Sequence, residues 1–142
     1  MEYINGDVFL APEKSCICHQ VNTYGAMGKG IALSVKIKYP RVYTQYKRHL
    51  EDLILSPYGT VLFCGIDNNR YIANCFSQIG WKTDYDLFEK CLHVLADTQC
   101  NYFAIPYKMG CGLAGGNWTV ISNLIEKILG DRAFIYRFEV TE

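Results

Sequence analysis

The chain has 142 residues, half of them hydrophobic and a fifth charged, a composition that builds a buried core and excludes a disordered polar segment. Lysine plus arginine match aspartate plus glutamate at 14 each, so no overall field steers the chain onto nucleic acid or a membrane. The opening Met1-Glu2-Tyr3-Ile4-Asn5-Gly6-Asp7 lacks the basic and apolar regions of a signal peptide, and no run approaches the ~20 apolar residues that cross a bilayer. The expectation is one cytoplasmic domain over residues 1–142, without membrane contact.

Hydrophobic periodicity predicts strands at 2–4 and 16–21, then a helix from Gly30 to Tyr39 that stops at Pro40. A second helix starts at Arg41 and sets Val42, Tyr46, Leu50 and Leu53 on one face. Strands follow at 60–66 and 70–76. Thr83-Asp84-Tyr85-Asp86 resembles a capping box, and the helix it opens turns Leu87, Cys91, Val94 and Leu95 inward. A strand at 101–106 leads to a helix capped by Asn117, striped by Ile121, Leu124, Ile125, Ile128 and Leu129, and ended by Gly130. The last strand spans 133–140. Alternating strands and helices imply an α/β sheet covered on both faces, with ligands beyond the carboxyl ends of its strands.

The seven cysteines include no CxxC pair, and four fall in apolar runs where a thiol acts as a small hydrophobe. Reduced structural thiols are expected. Cys16-x-Cys18-His19 has no second ligand pair at zinc spacing, so neither a metal nor a cofactor is expected.

Two strand-to-helix loops are rich in glycine: Asn22-Thr23-Tyr24-Gly25-Ala26-Met27-Gly28-Lys29-Gly30, and Met109-Gly110-Cys111-Gly112-Leu113-Ala114-Gly115-Gly116. Glycine admits sharp turns and close approach, and free amides at the following helix N-termini attract an anion, so two facing loops suit a diphosphate. The alternative is that each is only a tight turn. Gly28-Lys29 fails the P-loop pattern, with Thr23 and Gly30 at its two outer positions. Gly110-x-Gly112-x-x-Gly115 matches the dinucleotide pattern, with Glu139 near the place of a ribose ligand. Only three residues follow Glu139, however, and a Rossmann dehydrogenase needs a second mononucleotide half.

The stretch from His19 to Ala32, the stretch from Ile105 to Leu113 with Gly116-Asn117-Trp118, and Asn5-Gly6-Asp7-Val8 together resemble the macrodomain family. The resemblance runs nearly end to end in the family's order. It is nearest to the branch holding the terminal ADP-ribose protein glycohydrolase and the yeast ADP-ribose-1''-phosphate phosphatase. It implies a three-layer αβα sandwich around a mixed sheet of about six strands, with a cleft for ADP-ribose or a derivative. By that resemblance Asp7, with Val8 beside it, accepts a hydrogen bond from the adenine amine, and Asn22 orients the distal ribose. Gly28, Gly30 and Ile31 line one side of the diphosphate and distal ribose; Gly110, Cys111, Gly112 and Leu113 line the other through backbone amides. The bottom-up alternatives are a polar turn residue at Asp7 and a loop cap at Asn22. Nothing near Cys111 in sequence marks it as a nucleophile. Phe134, Tyr136 and Phe138 share a face of the last strand, and the sequence does not single out one of them to pack on adenine.

The glycohydrolases of this family use a lysine after the middle strand and an aspartate in the second loop. Here Ala73-Asn74-Cys75-Phe76-Ser77-Gln78-Ile79-Gly80 holds no lysine, Ala114 stands at the aspartate position, and Lys82 comes too late. A lysine Schiff-base route therefore lacks its nucleophile and its partner. The phosphatase's histidine precedes the loop asparagine by three residues, a spacing that His19 and Asn22 keep. A neutral imidazole there activates water or protonates a leaving oxygen; the competing view is an inert, hydrogen-bonded strand-end histidine. Three functions stand open: hydrolysis at the distal ribose, a non-catalytic reader of free or carrier-linked ADP-ribose, and a nucleotide- or RNA-binding domain. The carrier is either protein or nucleic acid.

Overall fold

The computed structural model describes residues Met1–Phe138. In chain order the strands are β1 (Glu2–Asn5), β2 (Cys16–Gln20), β3 (Val61–Gly65), β4 (Tyr71–Cys75), β5 (Gln78–Ile79), β6 (Lys82–Thr83), β7 (Phe103–Pro106) and β8 (Ala133–Arg137). The α-helices are α1 (Gly30–Lys38), α2 (Pro40–Glu51), α3 (Tyr85–Ala96) and α4 (Trp118–Leu129), and a 3₁₀ turn covers Val8–Leu10. Six strands form one sheet in the order β1-β8-β7-β2-β4-β3, while β5 and β6 pair as a separate hairpin. All pairings in the large sheet are parallel except β3 with β4.

Both faces of this sheet are covered, which explains why the inner strands read as continuous apolar runs instead of alternating. The Phe-Ala-Ile-Pro of β7 is buried throughout. On one face Cys18, Phe103, Ile105 and Ile135 pack against Phe88 and Leu92 of α3 and Ile121 and Ile125 of α4. On the other, Ile17, Ile72 and Phe76 pack against Val35 of α1 and Val42 and Tyr46 of α2. The result is the three-layer αβα sandwich with a mixed six-stranded sheet that the resemblance implied. Among the described residues no helix is long and apolar enough to cross a membrane.

Several local expectations shift. Pro40 is the first residue of α2, where its missing N–H costs nothing, so it opens the second helix directly after the first ends. Helix α2 stops at Glu51 and leaves Leu53 outside it. The cap of α3 is Asp84, whose side chain accepts from Leu87 N at 3.0 Å, so the predicted box starting at Thr83 is out by one residue. Thr83 is instead in β6, a hairpin too short for periodicity to reveal. Phe88 and Leu92 join Leu87, Cys91 and Leu95 in the core, and Val94 is half-buried. The last strand ends at Arg137, and Glu139 lies outside the described residues.

Because β1, β2, β4, β7 and β8 run parallel, the segments that follow them all leave the same edge of the sheet. That edge carries both glycine loops.

Candidate functional site

A cleft of about 660 Å³ opens at this edge. Its walls are Asp7, Val8 and Phe9 after β1, Ile31, Ser34 and Lys38 on α1, Pro106 and Tyr107 after β7, and Tyr136 to Phe138 at the end of β8. Asp7 caps the 3₁₀ turn, with Oδ1 accepting from Phe9 N at 2.9 Å. It is therefore both the turn residue and a cleft residue, and among the described residues its second oxygen makes no hydrogen bond.

The three late aromatics separate cleanly. Phe134 stacks on Tyr102 with ring centroids 3.8 Å apart, and the buried Tyr136 pairs its hydroxyl with that of Tyr102. Phe138 is 63 % exposed at the cleft. Phe9, Ser34, Lys38, Tyr107 and Arg137 also line the cleft without having stood out in the sequence, because no spacing rule relates four segments that only a parallel sheet brings together.

The first loop is organised by Asn22. Its Oδ1 accepts from Tyr24 N at 3.0 Å and Ala26 N at 3.3 Å, while its Nδ2 donates to Ala26 O at 2.9 Å. The hydroxyl of the buried Tyr46 donates to Asn22 O at 2.6 Å and Oδ1 at 2.8 Å. The amide side chain is thus largely committed to the loop, with one N–H left over. Helix α1, which follows, has no side-chain cap. Its first intrahelical bond is Leu33 N to Lys29 O, so the amides of Gly30, Ile31 and Ala32 have no acceptor among the described residues. Gly28 and Gly30 face open space on their Cβ side.

The second loop differs in mechanism. Helix α4 has a side-chain cap, Asn117 Oδ1 accepting from Thr119 N at 2.8 Å and Val120 N at 3.4 Å. The loop itself also presents free donors among the described residues. Cys111, Gly115 and Gly116 donate to Lys108, Gly112 and Gly110 carbonyls, and the consecutive amides of Gly112, Leu113 and Ala114 find no partner among the described residues. Successive free amides of this kind form concavities suited to an anion. Gly110 holds a φ of +75°, and Thr83 Oγ1 donates to its carbonyl at 2.7 Å. Gln20 fixes the surroundings, donating to Ser77 Oγ at 2.8 Å and accepting from Gln78 Nε2 at 2.8 Å.

His19 faces the α1/α2 layer and is only 2 % exposed. Its Nε2 lies 2.7 Å from Asn74 Oδ1, and Asn74 Nδ2 donates to Leu62 O at 2.9 Å. Since Oδ1 can only accept, Nε2 carries the proton and Nδ1 presents a lone pair, which is buried and unpartnered among the described residues. Burial lowers the imidazole pKa to about 4, opposed by the Asn74 hydrogen bond, so the ring is neutral near pH 7. Cys111 is half-buried, and burial raises its thiol pKa against the pull of Lys108, which leaves it a poor nucleophile.

The structure brings Asp7, Val8 and Ile31 together in the cleft. Asn22, Gly28, Gly30, Gly110, Cys111, Gly112 and Leu113 stand on the loops beside it, and His19 lies beneath, in β2. The β5–β6 hairpin, absent from the sequence reading, joins the two loops. Its Trp81 packs on Tyr24 of the first with centroids 4.3 Å apart, and Lys82 Nζ lies 3.9 Å from the Cβ position of Gly115 in the second.

No protein-family model matches the chain. It is 43 % identical over 54 residues to the ADP-ribose 1''-phosphate phosphatase of Neosartorya fischeri, a stretch covering 38 % of this chain and 27 % of that protein. The matched stretch thus spans about a quarter of that relative's length. It is 26 % identical to human ADP-ribose glycohydrolase OARD1 over 89 % of this chain and 82 % of that protein. The structure of a macrodomain protein from Streptomyces coelicolor superposes with a TM-score of 0.82 at 26 % identity, covering 96 % of this chain and 97 % of the other. Sheet order and the superposition agree: the chain has the macrodomain fold.

Proposed function

We propose that the chain binds ADP-ribose or a close derivative along this edge. The observation that carries the reading is the pair of unsatisfied amide sets, Gly30 to Ala32 at the uncapped α1 and Gly112 to Ala114 in the second loop. Two electropositive backbone surfaces at one sheet edge match a diphosphate. In this reading Asp7 accepts from the adenine amine while Val8 and Phe138 pack on the ring, and the distal ribose lies near Asn22 and Gly110 to Leu113. The names of the relatives support the same ligand. Calorimetric titration with ADP-ribose, ADP and AMP tests it: ADP-ribose should bind more tightly than ADP, and no binding would refute the site.

Hydrolysis of ADP-ribose-1''-phosphate is the second reading, favoured by the unpartnered Nδ1 of His19 below the first loop. A neutral imidazole with a free lone pair accepts a proton from water, though a pKa of about 4 makes it a weak base at neutral pH. Phosphate release that disappears in His19→Ala, with ADP-ribose affinity retained, would establish the enzyme. Binding without release would establish a reader.

A further inference from the structure

We propose that the open edge of the sheet at β3 pairs with β3 of a second copy of this chain, antiparallel about a two-fold axis at Phe63, so that the two sheets become one. The inference is independent of the ADP-ribose reading. Strand β3 ends the sheet order on the side away from β1 and β8, which border the cleft, so pairing there leaves the cleft open.

The Val-Leu-Phe-Cys-Gly of β3 pairs with β4 on one side only. Phe76 N donates to Thr60 O and Ile66 N donates to Arg70 O, so by the alternation of an antiparallel ladder the even-numbered residues bond to β4. The N–H and C=O groups of Val61, Phe63 and Gly65 therefore point outward, and they have no partner among the described residues. Strand edges are ordinarily guarded by a charge, a proline or a bulge. None interrupts this one. The register is unbroken from Val61 to Gly65, residues 53–66 between Asp52 and Asp67 carry no charge, and Pro57 stands ahead of the strand.

The side chains favour a second copy as the occupant. Val61, Phe63 and Gly65 share a face with Tyr71, Ala73 and Cys75 of β4, the face that α3 and α4 cover. That cover stops short of the edge, leaving Phe63 37 % and Tyr71 50 % exposed. The Tyr71 ring reaches across Gly65, its Cε1 3.8 Å from the Cβ position. A two-fold axis at Phe63 sets this ring against Phe63 of the same edge and Val61 of the second copy, and sets the two Phe63 rings side by side. Each facing pair, Val61 with Gly65 and Phe63 with itself, exchanges both backbone hydrogen bonds, so every outward group is satisfied. Asp67 falls opposite Gly59, against which Lys90 packs, and not opposite another carboxylate. Ile54 and Leu55, both exposed in the connection entering β3, add apolar area that a five-residue strand lacks. Pairing consumes both β3 edges, so assembly closes at two copies.

Sedimentation velocity from low-micromolar to submillimolar concentration tests the proposal. The wild-type mass should rise from 16.2 kDa to twice that value and no further. Phe63→Lys and Phe63→Glu should each weaken dimerisation about tenfold or more, because like charges then face one another and an aromatic pair is lost. An equal mixture of the two variants should restore dimers, since the register sets lysine against glutamate. Circular dichroism should show both variants folded, the substituted side chain standing at an open edge. A wild-type chain that stays monomeric throughout would overturn the proposal and leave the edge to a strand of another protein. So would assembly beyond two copies, variants that dimerise as wild type does, or a mixture no more dimeric than either variant alone.

Discussion

Gly116→Ala should damage the second loop through sterics alone. A Cβ built there would lie 2.6 Å from Gly110 O and 2.8 Å from Ile121 Cδ1. Close C–H···O contacts stop near 3.3 Å and carbon pairs near 3.5 Å, so both overlaps are about 0.7 Å. Ile121 is fully buried and has little room to retreat. The loop must open, losing the 2.8 Å bond from Gly116 N to Gly110 O. Overpacking costs about 1–3 kcal/mol and the hydrogen bond about 1 kcal/mol, giving about 2–4 kcal/mol in all. With an m-value near 2 kcal/mol/M, the urea midpoint should fall by roughly 1–2 M. Gly112→Ala is the control, because nothing lies within 4 Å of its Cβ position. It should shift stability by less than about 0.5 kcal/mol while weakening ADP-ribose binding, since its new methyl stands beside the free amides. Equal midpoints for Gly116→Ala and wild type would refute the packing argument. Undiminished ADP-ribose affinity in Gly112→Ala would refute the placement of the diphosphate.

Three other outcomes are expected. His19 titrates near pH 4 when folded and near its ordinary value of ~6.5 when unfolded, so between these the unfolded chain binds more protons; the stabilisation is full above pH ~6.5 and is lost as pH falls toward 4. That window is worth on the order of 3 kcal/mol, and urea midpoints measured from pH 7 to 4 should decline less steeply in His19→Gln than in wild type. Tyr46→Phe removes the hydroxyl that ties α2 to Asn22, which should cost about 1–2 kcal/mol in denaturant unfolding and weaken ADP-ribose binding through a looser first loop. Phe138→Ala should reduce affinity for ADP-ribose and AMP by similar factors with little change in unfolding midpoint, because the ring is mostly exposed; a loss confined to ADP-ribose would remove Phe138 from the adenine end.

Periodicity located the six strands of the large sheet and all four α-helices, because each buries a regular stripe or a continuous apolar run. Glycine content marked both loops, since a Gly110 at φ +75° and a Gly116 pressed against a carbonyl leave local traces in composition. The β5–β6 hairpin left none, because two-residue strands carry no period. Asn117 was legible as the cap of α4, but local sequence could not show that α1 lacks a side-chain cap or that three consecutive amides of the second loop have no partner among the described residues. The state of His19 was equally hidden. Its neutrality follows from burial, and its tautomer from Asn74, 55 residues away in sequence and beside it in the sheet. That Phe138 is exposed while Phe134 and Tyr136 are not depends on Tyr102, which engages the other two. The sequence by itself therefore determined which elements form and where glycine is needed, since those are local energies. Only the tertiary structure decided which donors stay free among the described residues and which late aromatic stays exposed, because each depends on neighbours distant along the chain.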